Sequence, residues 1–386
     1  MNKRFIITVV TLLIIGLGTG LAMMLAKGYT FSPKDGKLLG TGIIAVTSVP
    51  EGASVYIDGH LTTATNTTIS QLSPKKYDIR IVKDGFISWE KSIEVKAGLV
   101  SEVKATLFPA LPTIYPLTLN GVTTPLLSPD GQKLAFAVPS QELSHGRQKG
   151  GVWVWTMTSQ PLSLSRDAEP HQILASTNTM DFSKAKLTWS TDSKSLLVTL
   201  QESDNPSSAS TRNFLLPYDR ETSLGDLRDI TPMIDSTLKE WQEATSIQDM
   251  ARLAVVNDPA LRQIASSAAA LKWSPDETKF MVGVKVYDLG SLNQGGKLKQ
   301  QGGFKSYDLS QASAYLWLPD SRHIILIQED KISISDFDGS NMAVIYAGKF
   351  EDTSVFPWPD SSRLVVMTSF NTPTANQPNL FGINLK

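Results

Sequence analysis

The sequence predicts a mainly β protein of several folding units behind one long apolar helix. Three observations predict it. The basic pair Lys3-Arg4 is followed by 22 residues, Phe5 to Ala26, without a charge. From Gly42 onward, short β-branched runs alternate apolar and polar residues and are broken by Asp-Gly pairs. Beyond about residue 110, one small pattern occurs five times: an apolar run, a Pro-Asp or Thr-Asp turn, a basic residue, and a second apolar run.

The 386 residues exceed the roughly 100–200 of a single domain, so more than one unit is expected. Lys and Arg number 36 and Asp and Glu 37, a net charge of -1. No basic excess or charge run is available to neutralise phosphates, so nucleic acid is not an expected partner. There is no cysteine, which excludes disulfides, thiolate metal sites, a cysteine nucleophile and a lipid-modified cysteine.

As a helix, the run Phe5 to Ala26 would extend about 33 Å at 1.5 Å per residue, enough to cross a bilayer. Its length favours an uncleaved anchor over a cleavable signal sequence, whose apolar region is about 7–15 residues, although Ala22 and Ala26 leave a cleavage site open. Lys3 and Arg4 assign residues 1–4 to the cytoplasm, 5–26 to the span and the rest to the extracytoplasmic side, with Lys27 weakening the asymmetry. Residues 27–40, with Ser32-Pro33 and Asp35-Gly36, read as a linker.

Residues 41–108 carry strand patterns at Ile43-Ile44-Ala45-Val46-Thr47, Ser54-Val55-Tyr56-Ile57, Tyr77 to Val82, Ile87 to Val95 and Val100 to Leu107. Turns fall at Asp58-Gly59, Asp84-Gly85 and Ala97-Gly98, so a small antiparallel sandwich is expected. Gly59 supplies the positive φ that a hairpin needs, and Glu51 and Asp58 read as turn residues before they read as ligands. Pro50-Glu51-Gly52-Ala53, Val55-Tyr56-Ile57-Asp58-Gly59, Leu72, Tyr77, Gly85-Phe86 and Gly98 give the segment its resemblance to the PEGA domain. It departs where Thr62 to Thr68 replaces a Gly-x-Thr-Pro-like element and where Lys76 stands before the tyrosine. The resemblance implies a non-catalytic extracytoplasmic module for envelope contacts.

Pro109 to Pro112 reads as a joint, and residues 110–386 hold the repeats: Ser128-Pro129-Asp130-Gly131, Trp189-Ser190-Thr191-Asp192, Trp273-Ser274-Pro275-Asp276, Trp317-Leu318-Pro319-Asp320 and Trp358-Pro359-Asp360. Lys133, Lys194, Lys279, Arg322 and Arg363 follow them. The aspartates are spaced 62, 84, 44 and 40 residues apart, and the last two spacings match the roughly 40–45 residues of a four-stranded propeller blade. The first interval holds the polar loop from Pro139 to Gly151. In the second, Ile234, Leu238, Trp241, Ile247, Met250, Leu253 and Ala254 recur at helical steps, and Asp258-Pro259 opens a second helix with Leu261, Ile264 and Ala268. A helical insertion at about 232–268 leaves five blades; strands there would make six. Residues 113–117 are placed to pair with the last blade and close the ring. The repeat resembles the WD40-like, TolB-type propeller repeat, with only Ser128 to Gly131 complete.

No residue set announces a reaction. There is no Gly-x-Ser-x-Gly elbow, and Gly290 to Lys297 has Gly296 where a phosphate loop needs lysine. His60, His145, His171 and His323 lack ligand spacing and read as structural or solvent-facing. Asp336-Phe337-Asp338-Gly339-Ser340-Asn341 lacks the third ligand and distal Glu of a calcium loop and reads as a hairpin turn. The motif aspartates read as bonded within their own turns. Asn66-Thr67-Thr68 has the form of a glycosylation sequon. No catalytic, cofactor or metal residue is assigned. The expected function is that of a single-pass, extracytoplasmic envelope scaffold binding protein or glycan; the competing class is a hydrolase or lyase with its site at the propeller channel.

Overall fold

A computed structural model describes residues 3–26, 29–32, 37–143, 146–148, 150–157, 169–201, 211–289, 304–351, 354–369 and 377–386. The chain divides into two compact units, Met1–Leu111 with Lys386, and Pro112–Leu385.

Unit 1 opens with helix α1, Lys3–Ala26. Within it Ile7–Met24 has a mean hydropathy of 2.2 and is long and apolar enough to cross a membrane. A hairpin of Tyr29–Ser32 and Lys37–Gly40 follows. The remainder is two sheets, one ordered Thr67–Leu72, Gly42–Val49, Val100–Thr106 and the other His60–Ala64, Ser54–Ile57, Lys76–Val82, Trp89–Glu94. Alternation decides which side chains turn inward: Tyr77, Ile79 and Ile81 are buried while Lys76, Asp78 and Arg80 face out. Ile44, Val46, Val55, Ile79, Ile81, Trp89 and Val103 fill the core. The sandwich departs from the antiparallel expectation at one pair, since Gly42–Val49 and Val100–Thr106 run parallel. The chain passes to the other sheet before and after Thr67–Leu72, and its last strand returns beside Gly42–Val49 in the same direction. Asp58 (φ 49) and Gly59 (φ 82) both sit in the left-handed region, the two-residue hairpin geometry expected of Asp-Gly.

Unit 2 is a succession of antiparallel sheets. Blade 1 is Thr123–Leu127, Lys133–Val138, Gly151–Thr156 and His171–Ala175; blade 2 is Lys186–Trp189, Ser195–Gln201 and Thr211–Pro217. Blade 3 is Leu271–Trp273, Lys279–Val282, Lys285–Asp288 and Lys305–Asp308; blade 4 is Ala314–Trp317, His323–Ile327, Lys331–Asp336 and Ala343–Ala347. Blade 5 takes three strands from the end of the chain, Val355–Pro357, Arg363–Thr368 and Asn379–Asn384, and its outer strand, Ile114–Pro116, from the start. That pairing, Ile114 against Ile383 and Pro116 against Phe381, closes the ring as expected and leaves no separate terminal edge at the junction. The loop after blade 1's second strand extends it as a hairpin of Gln141–Leu143 and Gly146–Gln148.

The insertion between blades 2 and 3 is helical: helix α2, Ile234–Val255, and helix α3, Pro259–Ser267, which rules for five blades among the described residues. Asp258 caps α3, accepting from Ala260 N at 2.8 Å and Leu261 N at 3.1 Å, with Pro259 in the first turn. The insertion displaces blade 2's fourth strand, and a single bridge, Phe214 to Asp229, stands in its place. Neighbouring blades share their cores: Val154 and Ile173 of blade 1 pack with Leu196 and Phe214 of blade 2. Met281 and Val286 of blade 3 meet Tyr315, Trp317 and Leu326 of blade 4, and Trp155 of blade 1 meets Trp358 of blade 5 edge to face at 5.3 Å.

Candidate functional site

The five motif turns share one geometry, built by the short polar residues the motif supplies. Each is a β-turn closed by a backbone hydrogen bond, Gly131 N to Ser128 O, Ser193 N to Ser190 O, Glu277 N to Ser274 O, Ser321 N to Leu318 O and Ser361 N to Trp358 O, all 2.8–3.0 Å. The aspartate accepts the amide two residues on: Gln132, Lys194, Thr278, Arg322 and Ser362 donate to Asp130, Asp192, Asp276, Asp320 and Asp360. The serines of the first three motifs add their hydroxyls, Ser190 and Ser274 at 2.7 Å. Ser190 and the Lys194 amide hold Asp192 below the usual carboxylate range; against burial, Lys133 Nζ with Ser128 and the Gln132 amide does the same for Asp130, and Ser274 with Thr278 for Asp276.

The residue after each aspartate has positive φ, which glycine adopts freely, yet only Gly131 is glycine; Ser193, Glu277, Ser321 and Ser361 lie at φ 56–59. Two of these serines repay the strain across a blade junction. Ser193 Oγ accepts Asp130 N from blade 1 at 3.1 Å, and Ser321 Oγ accepts Asp276 N from blade 3 at 3.0 Å. Motif tryptophans act at the same junctions: Trp189 Nε1 donates to Leu126 O at 3.1 Å and Trp317 Nε1 to Lys272 O at 3.0 Å. Lys272 Nζ returns the contact, donating to Tyr315 O at 2.8 Å, and its burial lowers its pKa.

The basic position is the third residue after the aspartate, not the second. Lys133 and Lys279 are buried there, each over an aromatic ring of the next blade, Tyr218 at 4.7 Å and Phe337 at 4.9 Å. Arg363 lies over Trp358 at 4.6 Å. Lys194 and Arg322 are second residues; strand alternation turns them away from the interior, where Ser195 and His323 take the third position.

His323 thereby becomes the one buried histidine among the described residues. Its Nδ1 lies 2.6 Å from Asp320 Oδ2 and its Nε2 3.3 Å from Asp336 Oδ1. Burial would lower its pKa, but the two carboxylates outweigh burial and raise it. They are in turn held: Asp320 is depressed by His323 against its own burial, and Asp336 accepts from Asn341 Nδ2 at 3.0 Å and Ser340 Oγ at 3.3 Å. The signal was in the sequence as the alignment of His323 with Lys133, Lys279 and Arg363. Counting Arg322 as the motif's base concealed it.

The other candidates stay apart. Asp336 to Asn341 is a hairpin turn in which Asp338 accepts from Ser340 N at 3.2 Å and Ser340 Oγ at 2.5 Å. Asp58 is bonded to Asp78 N at 3.0 Å and Lys75 Nζ at 2.6 Å. His60, Glu51 and Asn66 are exposed, and Asn66 Oδ1 accepts from Ser48 N at 3.3 Å. His171 Nε2 lies 2.8 Å from Tyr218 O. His145 and Gly290 to Lys297 lie outside the described residues.

Helix α2 carries several exposed apolar groups close together. None of its side chains is buried, and Ile247, Met250 and Val255 are 63%, 59% and 71% exposed. Ile247, Met250 and Ala254 recur at three- and four-residue steps, while Thr245 and Arg252 on the other side reach the blades. The helical spacing was legible. Ile234, Trp241 and Leu253 are half-buried and Leu253 packs toward Phe280, whereas Ile247, Met250 and Val255 face outward.

No curated protein matches the chain. Among solved structures it is similar to TolB from Acinetobacter baumannii, at 15% identity and TM-score 0.22 over 81% of this chain, spanning 61% of that protein's length. It is similar to a putative TolB from Agrobacterium tumefaciens, at 15% identity and TM-score 0.19 over 66% of this chain and 76% of that one. An oligogalacturonate lyase from Vibrio parahaemolyticus matches at 8% identity and TM-score 0.27, over 80% of this chain and 86% of that one. Residues 41–110 match the PEGA domain family, so the sandwich of unit 1 is a PEGA domain.

Proposed function

We propose that the protein is a membrane-anchored extracytoplasmic binding platform, held by α1 and recognising a protein partner through unit 2. The observation that carries this reading is helix α2: a 22-residue element inserted into a repeat that does not need it, with aliphatic side chains turned to solvent. Methionine and isoleucine at helical spacing suit an apolar protein surface. The motif turns contribute architecture, since their carboxylates are bonded within the turns.

A photo-crosslinking residue at Met250, compared with one at exposed Asp219, tests the reading in the full chain in its own membrane. Discrete protein adducts from Met250, absent from Asp219 and lost on Ile247→Glu, are expected. Equal adducts at both positions, or none at Met250, would sink it. Turnover of a glycan or peptide substrate by the purified chain would replace it with the competing assignment, an extracytoplasmic hydrolase or lyase.

A further inference from the structure

We infer that helix α2 is a strap that holds blades 2 and 3 together in place of the locks used at the other well-defined junctions. The inference goes beyond the platform and stands whether or not anything docks on the helix.

Junctions 1–2 and 3–4 are built alike. Each has an indole N–H donated to the preceding blade's first strand, from Trp189 to Leu126 O and from Trp317 to Lys272 O. Each has an aspartate amide donated to a left-handed serine of the next blade, Asp130 to Ser193 and Asp276 to Ser321. Each has a buried lysine over the next blade's aromatic ring, Lys133 on Tyr218 and Lys279 on Phe337. Junction 2–3 has substituted every one of these parts. The equivalent indole, Trp273 Nε1, is buried without a hydrogen-bond partner. The residue that should be serine is Glu277, and the residue that should be lysine is Ser195.

Helix α2 crosses this junction instead. The Thr191 hydroxyl, in the first turn of blade 2, donates to the main-chain carbonyl of Trp241 at 3.0 Å and lies 3.4 Å from Thr245 Oγ1. Arg252 Nε donates to Glu277 Oε1, in the first turn of blade 3, at 2.8 Å. From Trp241 to Arg252 the helix advances about 16 Å at 1.5 Å per residue, so one rigid rod bridges the two turns. Glu277 explains itself on this reading: a charged residue at φ 56 is unfavourable locally and is there for Arg252. Beyond Arg252, Val256 and α3's Leu261 and Ala265 pack on Phe280 of blade 3, so the strap is fastened firmly at that end and by polar contacts at the blade 2 end. Displacing α2 would therefore loosen this junction and leave junctions 1–2 and 3–4 locked.

Hydrogen exchange of the full chain in detergent micelles tests this. Arg252→Ala is expected to speed exchange of the first-strand amides of blades 2 and 3, Lys186–Trp189 and Leu271–Trp273, by up to about fivefold, the range of a partly exposed ion pair. Blade 1 and blade 4 first strands should stay unchanged. The chain has no native cysteine, so Thr191→Cys with Thr245→Cys can be oxidised without competition, and the bridged form should slow exchange at the same two strands. A rise spread evenly over all blades, a rise confined to α2, or an oxidised variant with unchanged exchange at these strands would overturn the strap.

Discussion

His323→Gln is the most demanding test of the interior. The His323 ring sits between Asp320 and Asp336, whose side chains are only 18% and 12% exposed, is itself 3% exposed, and is pushed toward its imidazolium form by the two carboxylates. Glutamine keeps a donor but removes the charge, leaving two carboxylates facing each other in a poorly hydrated space. Removing one partner of a buried ion pair costs about 3–5 kcal/mol, and the lower end applies because Asp336 keeps Ser340 and Asn341 and Asp320 keeps the amides of Arg322 and His323. At roughly 2 °C per kcal/mol for a unit of this size, about 3 kcal/mol should lower the calorimetric transition of unit 2 by about 6 °C. The pH dependence carries the sign. A raised histidine pKa contributes stability that is complete below the unfolded value, about 6.5, and is lost as pH rises through the folded value. The gap between wild type and variant should therefore be widest near pH 6 and shrink toward alkaline pH. A gap below about 1 kcal/mol near pH 6, or one that does not narrow as pH rises from there, would refute the charged assignment.

Three further outcomes follow from the same geometry. Ser193→Ala keeps the φ strain and orphans the Asp130 amide, so it should cost about 1–3 kcal/mol by thermal melting, whereas Ser193→Gly exchanges that bond for relief of about 1–2 kcal/mol and should be near neutral. Trp317→Phe loses the bond to Lys272 O and should destabilise by about 1–3 kcal/mol more than Trp273→Phe, whose indole has no hydrogen bond to lose; equal penalties would remove the junction comparison. Ile14→Asp places a carboxylate at mid-span at a cost of about 2.5–3.5 kcal/mol and should shift the protein from the carbonate-resistant membrane fraction, while high salt alone should release none of the wild type.

Features that depend on local period and turn chemistry are legible in the chain alone. The apolar run, the alternating strands, the Asp-Gly turns, the blade spacing after Asp276 and the capped helix at Asp258 follow from near neighbours in the chain, so they could be read without coordinates. Features that depend on distant partners appear only once the chain is folded. Whether the inward basic position is the second or the third after the aspartate is set by strand parity, and this brought His323 rather than Arg322 between two carboxylates. Whether serine or glutamate at a left-handed position is a defect or a lock depends on Asp130, Asp276 and Arg252, each on another element. The motif Trp273-Ser274-Pro275-Asp276 reads like Trp189-Ser190-Thr191-Asp192 and Trp317-Leu318-Pro319-Asp320 in sequence; the blade it faces leaves its indole unbonded and gives its junction to helix α2.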